Sequence, residues 1–158
     1  MLPIMANAQT AIEKQTVSSN SVVLDFVSGT TKGIILPAVE ILPTAPANGT
    51  FLFDAHPDEK NIKMYQNNSW VELSGVGSTT NLVGYSGTVE NAKKTVIGAK
   101  ESAADGVLVL EATNKALVLP KIANPHLTVK SPYPGMMCYD TSRKALAVFD
   151  GVVWNYWK

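Results

Sequence analysis

One pattern of residues occurs twice in this chain, and it constrains the fold more than any other sequence feature. Each copy has a short apolar segment ending in Leu-Pro, a proline-rich loop, an apolar segment ending in Asp, and a turn flanked by aromatic residues. The matched positions lie 83 to 86 residues apart: Pro37 and Pro120, Asp54 and Asp140, Trp70 and Trp154. A repeat sets the unit of folding, so the pattern predicts two related structural units.

The residue types within each copy favour β-strands. Residues 50–54, 61–65 and 69–73 of the first copy are rich in apolar and β-branched side chains and are bounded by turn residues. The turn at residues 66–68 contains two asparagines, and Asp150-Gly151 in the second copy is a stronger hairpin signal. We therefore predict an all-β fold of two tandem, small antiparallel β-meander modules joined by a β-rich linker.

The same patterns divide the chain into four segments. We predict a signal-peptide remnant and N-terminal leader at 1–20, β module 1 at 21–74, a linker with extended strands at 75–104, and β module 2 at 105–158. The pattern Ala6-Asn7-Ala8 after a short apolar run is typical of a signal-peptidase site, and a disordered or docking terminus is the alternative. Modules of about 50 residues bury only about 60% of their unfolded surface, so each is expected to pack on another module or chain.

Composition excludes some classes of function. Lys plus Arg and Asp plus Glu both number 13, so there is no basic field that would bind nucleic acid. No segment has the roughly 20 apolar residues of a membrane-spanning helix. Charged residues make up only 16% of the chain, which suits an extracellular or assembled protein. The one cysteine, Cys138, lies in an apolar run and is expected to be a buried, unreactive thiol.

The hairpin turns predict how the aromatic residues pack. If residues 66 and 67 form the turn of the first hairpin, Tyr65 lies opposite Asn68, and Tyr65 and Trp70 form a diagonal pair on one face. Phe149 and Trp154 are expected to do the same in the second copy. Alternation places other apolar residues on the opposite face, so both faces of each hairpin should be covered.

The side chains capable of chemistry do not form a recognisable catalytic or metal site. Ser86 lies in a segment that only approaches the Gly-x-Ser-x-Gly pattern, and His56 and His126 lack partners at suitable spacing. The acidic cluster at residues 54–59 has the oxygen ligands of a cation site, but its counterpart in the second copy lacks them. We therefore predict no catalytic, cofactor-binding or metal residues, and we expect Asp54 and Asp140 to cap turns.

Aromatic residues are the candidates for interaction. Paired aromatics at hairpin spacing are usually core or interface residues, although exposed ones could also stack on a sugar. The candidate interface or packing residues are Tyr65, Trp70, Phe149, Trp154, Tyr156 and Trp157.

The order of these motifs resembles a repeat of secreted, tail-fibre-like surface proteins of Bacteroidetes. The resemblance lies in residues 23–26, 32–37, 51–54 and 65–70 and in their second-copy equivalents, and it covers about two thirds of the chain. Residues 95–99 also resemble a Val-Gly-Ile-Gly-Thr segment that precedes such repeats, with two departures. The resemblance implies a secreted or surface-attached, fibre-like protein that self-associates, and it implies no catalytic residue.

Together these observations predict a non-enzymatic, secreted or cell-surface protein, associated with the outer membrane or free, that is structural or adhesive. Its expected partners are protein chains, through self-association or a larger surface assembly. The alternative is a carbohydrate-binding module that uses exposed aromatics to bind a glycan. No cofactor, nucleic acid or membrane span is expected.

Overall fold

A computed structural model describes residues 9–83, 94–104 and 106–158 of the chain. These residues contain short β-strands and one helical turn, α1, at Pro125–Thr128. The strands of the first half are β1 (Thr10–Ile12), β2 (Val22–Phe26), β3 (Ile34–Ile35), β4 (Ala38–Val39), β5 (Phe51–Asp54), β6 (Asn61–Gln66) and β7 (Ser69–Glu72). Those of the second half are β8 (Thr95–Ile97), β9 (Leu108–Leu110), β10 (Ala116–Leu117), β11 (Lys121–Ile122), β12 (Met136–Asp140), β13 (Ala145–Phe149) and β14 (Trp154–Trp157).

The predicted all-β class is confirmed for the described residues. Antiparallel hairpins form where the sequence predicts them, as β5-β6-β7 in the first copy and β12-β13-β14 in the second. The proline after β3 ends that strand, because proline has no N–H to donate to a neighbouring strand. The predicted cleavage site at residues 6–8 and residues 84–93, which include Ser86, lie outside the described residues.

The copies are not joined simply in tandem, because strands of one copy complete sheets of the other. Strand β10 of the second copy pairs in parallel with β2, and β3 of the first copy pairs antiparallel with β12. Parallel pairs also join β1 to β2, β4 to β5, β8 to β9 and β11 to β12. The fold is therefore that of a β-solenoid, and the predicted arrangement of two separate meander modules is not confirmed.

The main hydrophobic core is shared between the copies. Its buried members are Leu36, Phe53, Ile62 and Leu73 from the first copy and Met137 and Val148 from the second. A smaller cluster of Ile122, Cys138 and Ala147 lies on the other face of the second copy's sheet. Burial raises the pKa of the Cys138 thiol to about 12, and the nearby Asp140 carboxylate adds to this shift. The thiol is therefore buried and protonated at neutral pH, as the sequence predicts.

The segment after β7 is held between the turns of the two copies. The Gly77 N–H donates to the carbonyl of Lys60 at 2.7 Å, and the Ser78 N–H donates to the carbonyl of Asp150 at 2.9 Å. A Cβ added at Gly77 would collide with the backbone of Asp150. The beginning of the predicted linker is thus a fixed part of the fold.

Candidate interaction surface

The aromatic pair of the first hairpin is present, in a register different from the predicted one. Asn67 and Asn68 have φ values of 50° and 60° and form the two-residue turn. Positive φ at both positions is the geometry of a type I′ turn, which matches the twist of the flanking strands. Tyr65 therefore lies directly opposite Trp70, not diagonal to it, with ring centroids 5.2 Å apart in an edge-to-face arrangement.

The second hairpin has an equivalent pair across a longer turn. Phe149 lies directly opposite Trp154, with ring centroids 5.5 Å apart, so the expected diagonal placement is wrong here too. The four-residue connection is held by the Asp150 carboxylate, which accepts from the N–H groups of Val152 and Val153 at 2.8 Å each. An aspartate that binds the backbone of its own turn stabilises that turn locally.

The last strand ties the second copy to the end of the first hairpin. The indole N–H of Trp157 donates to the carbonyl of Leu73 at 2.7 Å, although 46% of the residue remains exposed. Part of the Trp157 side chain, one of the candidate interface or packing residues, thus packs within the chain. The rest of the indole remains available for contact with another molecule.

Tyr156 and Trp154 line an open groove on the outer face of this sheet. The groove has a volume of about 540 Å³, and its other walls include His126, Val129, Phe149 and Val153. The Arg143 guanidinium stacks on the Tyr156 ring, 4.5 Å from its centroid, and donates to His126 Nδ1 at 2.8 Å. The groove thus combines aromatic faces with a charged, hydrogen-bonding edge.

Asp140 positions Arg143 at this edge. Burial alone would raise the pKa of the Asp140 carboxyl, but hydrogen bonds from the backbone N–H groups of Arg143, Ser142 and Asn124 lower it further than burial raises it. The carboxylate is therefore charged, and its Oδ2 lies 3.3 Å from the Arg143 guanidinium. The predicted turn-capping role of Asp140 is confirmed by its bonds to residues 142 and 143.

The acidic cluster of the first copy is neutralised by a lysine that the sequence reasoning missed. Lys63 Nζ lies 2.8 Å from Asp54 Oδ2 and 3.0 Å from Glu59 Oε2. Burial disfavours the ammonium, yet these two carboxylates outweigh burial and raise the pKa of Lys63. A lysine in the middle of an apolar strand was the available signal. Asp54 also caps its turn, accepting from the His56 N–H at 3.0 Å.

The other candidate ligands are dispersed. In residues 9–83, 94–104 and 106–158, no three His, Cys, Asp or Glu side chains are grouped so as to hold a metal ion. His56 and His126 lie in turns of different copies and do not meet. Nor does any helix of this part of the chain have the length and apolar character needed to cross a membrane.

The second copy matches a known family. Residues 96–158 match the family described as "Phage tail like trimerisation region". The match begins at β8 and includes the groove, the second hairpin and Trp157. It is consistent with a structural, tail-fibre-like protein that self-associates. Neither a curated protein nor a solved structure matches the chain, and the Bacteroidetes repeat itself stays a prediction.

Proposed function

We propose that this chain is a non-enzymatic structural subunit that assembles as a trimer within a fibre-like or accessory protein at the cell surface. The observation that carries the proposal is the match of residues 96–158 to a trimerisation region. Several large apolar side chains in the same range are exposed, and burying them against another chain would be favourable because it removes apolar surface from water. They are Val107, Leu108, Leu127, Val152, Val153 and Trp157.

In this proposal the two copies are the repeated units of the assembly, and the protein is exported and structural or adhesive. The low charge content and the resemblance to repeats of secreted proteins support export. Protease treatment of intact cells that make the tagged protein tests this part of the proposal. Digestion at the surface is expected, and complete protection until the cells are lysed would contradict it.

Light scattering during size-exclusion chromatography tests the trimer. The expected mass is three times that of the 16.9 kDa chain, retained on dilution. A compact monomer at every concentration would contradict self-association.

The groove beside Trp154 favours a second candidate function, binding of a carbohydrate. Sugar rings stack on aromatic faces, and Arg143 and His126 offer hydrogen bonds at the groove's edge. This function predicts glycan-dependent quenching of tryptophan fluorescence that is lost in Trp154→Ala and kept in Trp70→Ala. No quenching by a panel of glycans would dismiss it.

A further inference from the structure

We infer that protomers join one another through the strand pairings that already join the two copies within the chain, an inference that rests on the proposed self-association. Residues 117–119 of one protomer pair with residues 49–51 of the next. In return, residues 33–35 of that next protomer pair with β9 of the first. The occupant of each unpaired edge is a second copy of this chain.

The template is the antiparallel pairing of β3 with β12. Ile34 lies opposite Met137 and Ile35 opposite Met136. The Leu36 N–H extends this pairing by donating to the carbonyl of Gly135 at 3.0 Å. Through these bonds, the Leu-Pro strand of the first copy completes the sheet of the second.

The first copy has the same acceptor edge, and among the described residues no strand pairs with this part of it. Gly49 corresponds to Gly135, because each donates its N–H at 2.8 Å to the carbonyl of the first aromatic of its hairpin, Tyr65 or Phe149. Phe51 then corresponds to Met137. Along an antiparallel pair of strands, residue pairs that share backbone hydrogen bonds alternate with pairs that do not. The Tyr65 N–H donates to the carbonyl of Thr50, so the next residue, Phe51, makes no backbone hydrogen bond to β6. Its backbone groups therefore point outward, and in the described part of the chain nothing bonds to them or to the Gly49 carbonyl.

The second copy has the same donor strand, and in the described part of the chain only one of its edges has a partner strand. The N–H groups of Ala116 in β10 and of Val118, the residue directly after β10, donate to the carbonyls of Ser21 and Leu24 at 2.8 and 3.0 Å. Alternation turns the backbone of Leu117 and the N–H of Leu119 to the opposite edge. These two residues correspond to Ile34 and Leu36, and within the described ranges their outward groups have no backbone partner.

Exposure of β9 is an independent observation that points to the same neighbour. Val107 and Leu108 are 73% and 47% exposed, whereas their counterparts Val23 and Leu24 in β2 are each 2% exposed. The correspondence follows from the residue directly after each strand. The N–H of Val27, after β2, donates to the carbonyl of Ile12 in β1 at 3.0 Å, and the N–H of Glu111, after β9, donates to the carbonyl of Ile97 in β8 at 2.9 Å. In the first copy, β10 pairs along the edge of β2.

A neighbouring protomer has the strand that β9 lacks within residues 9–83, 94–104 and 106–158. Ile35 corresponds to Val118, the residue that donates to Leu24, and Ile35 is itself 44% exposed. Adding residues 33–35 of the neighbour to β9 would bury both sets of apolar side chains. Each protomer then uses each of its four open edges once, namely those of residues 33–35, residues 49–51, β9 and residues 117–119. Such a head-to-tail interface closes into a ring where the rotation permits, as a trimer requires, and otherwise continues as a fibre.

Disulfide trapping tests the geometry of the first pairing. By analogy with Met136 opposite Ile35, Thr50 of one protomer lies opposite Val118 of the next. Oxidising a mixture of the Thr50→Cys and Val118→Cys variants is expected to give a covalent dimer that contains one of each, while each variant alone stays a single chain. Cys138 does not compete, because its thiol is buried with a pKa of about 12.

A mixture of Ile41→Cys and Val118→Cys is the matched control, because Ile41 is exposed and does not belong to any of the proposed pairing segments. It is expected to stay uncrosslinked. The inference is overturned if the Thr50→Cys and Val118→Cys mixture gives no mixed dimer, or if the control crosslinks equally.

Charge substitution tests the second pairing. Val107→Lys with Leu108→Lys is expected to reduce the mass in solution threefold, to that of one chain, with an unchanged circular dichroism spectrum. Ile41→Lys with Val76→Lys changes two other exposed aliphatic residues and is expected to stay trimeric. A trimeric test variant, or dissociation of the control as well, overturns the inference but not the proposed function. A monomeric wild-type protein overturns both.

Discussion

The two copies share a backbone hydrogen-bond frame but neutralise the same buried aspartate in different ways. In the first copy Asp54 pairs with Lys63, which lies within a strand and is almost fully buried. In the second copy Asp140 pairs with Arg143, which lies in the adjoining turn and is 40% exposed. The position of the carboxylate is thus the same in both copies, whereas its positively charged partner is buried in the first copy and partly exposed in the second. Four predictions test this comparison of the copies and the contacts that join them.

The largest effect is expected for Lys63→Met. Removing one partner of a buried ion pair leaves the other charge uncompensated, and such losses cost about 3 to 5 kcal/mol. Arg143→Met is the matched change in the second copy, and we expect a loss of about 1 kcal/mol because the arginine is exposed and Asp140 keeps its backbone donors. Urea unfolding of both variants measures the difference. Equal losses would mean that the two ion pairs contribute equally.

The next effect is expected at the junction of the copies. Gly77→Ala places a methyl group against the Asp150 backbone, and we expect a loss of about 3 kcal/mol because backbone atoms cannot move aside easily. Gly75→Ala is the control, because its added Cβ would meet no atom within 4 Å. Thermal unfolding of the two variants should show a much lower Tm for Gly77→Ala. Two similar Tm values would show that the junction is not tightly packed.

Acid stability tests the carboxylate of the second copy. Because the pKa of Asp140 is lower in the folded protein than in the unfolded chain, its contribution is present above the unfolded pKa of about 4. That contribution is lost as the pH falls from there through the folded pKa. Asp140→Asn is expected to cost about 2 kcal/mol at pH 7. The difference from wild type should narrow as denaturation is repeated toward pH 2, and a constant difference would contradict the assignment.

The smallest effect is expected for Trp157→Phe, which keeps an aromatic ring but removes the N–H bonded to Leu73. A neutral hydrogen bond contributes about 1 kcal/mol, and this one is partly exposed. Trp70→Phe is the control, since no indole N–H bond is present there among the described residues. Urea midpoints measured side by side decide whether the contact between the copies adds stability.

Several features of the fold were predictable because they depend on neighbouring residues. The proline after β3, the capping aspartates Asp54 and Asp140, and the apolar run around Cys138 act within a few positions of the chain. The hairpins were predicted for the same reason. Their register was not, because a turn at residues 66–67 and one at 67–68 are nearly equal in local chemistry. The strand pairing selects the turn in which both asparagines have positive φ.

The candidate interaction surface was also predictable only where it depends on residues close in the sequence. The spacing of the aromatic residues predicted correctly that Tyr65 contacts Trp70 and that Phe149 contacts Trp154. The prediction that each pair is diagonal was wrong, because the two residues of each pair lie directly opposite one another. Arg143 and its stacking on Tyr156 were not found, because they depend on how the turn folds back over the sheet.

The sequence by itself determined the repeat, the all-β class and the chemistry of the turns, since these depend on residue type and short-range spacing. Only the tertiary structure decided that β3 completes the second copy's sheet and β10 pairs with β2. Those pairings join residues about 100 positions apart, and any apolar strand with a free edge offers the same backbone donors and acceptors. The choice among such edges is made by the packing of the shared core.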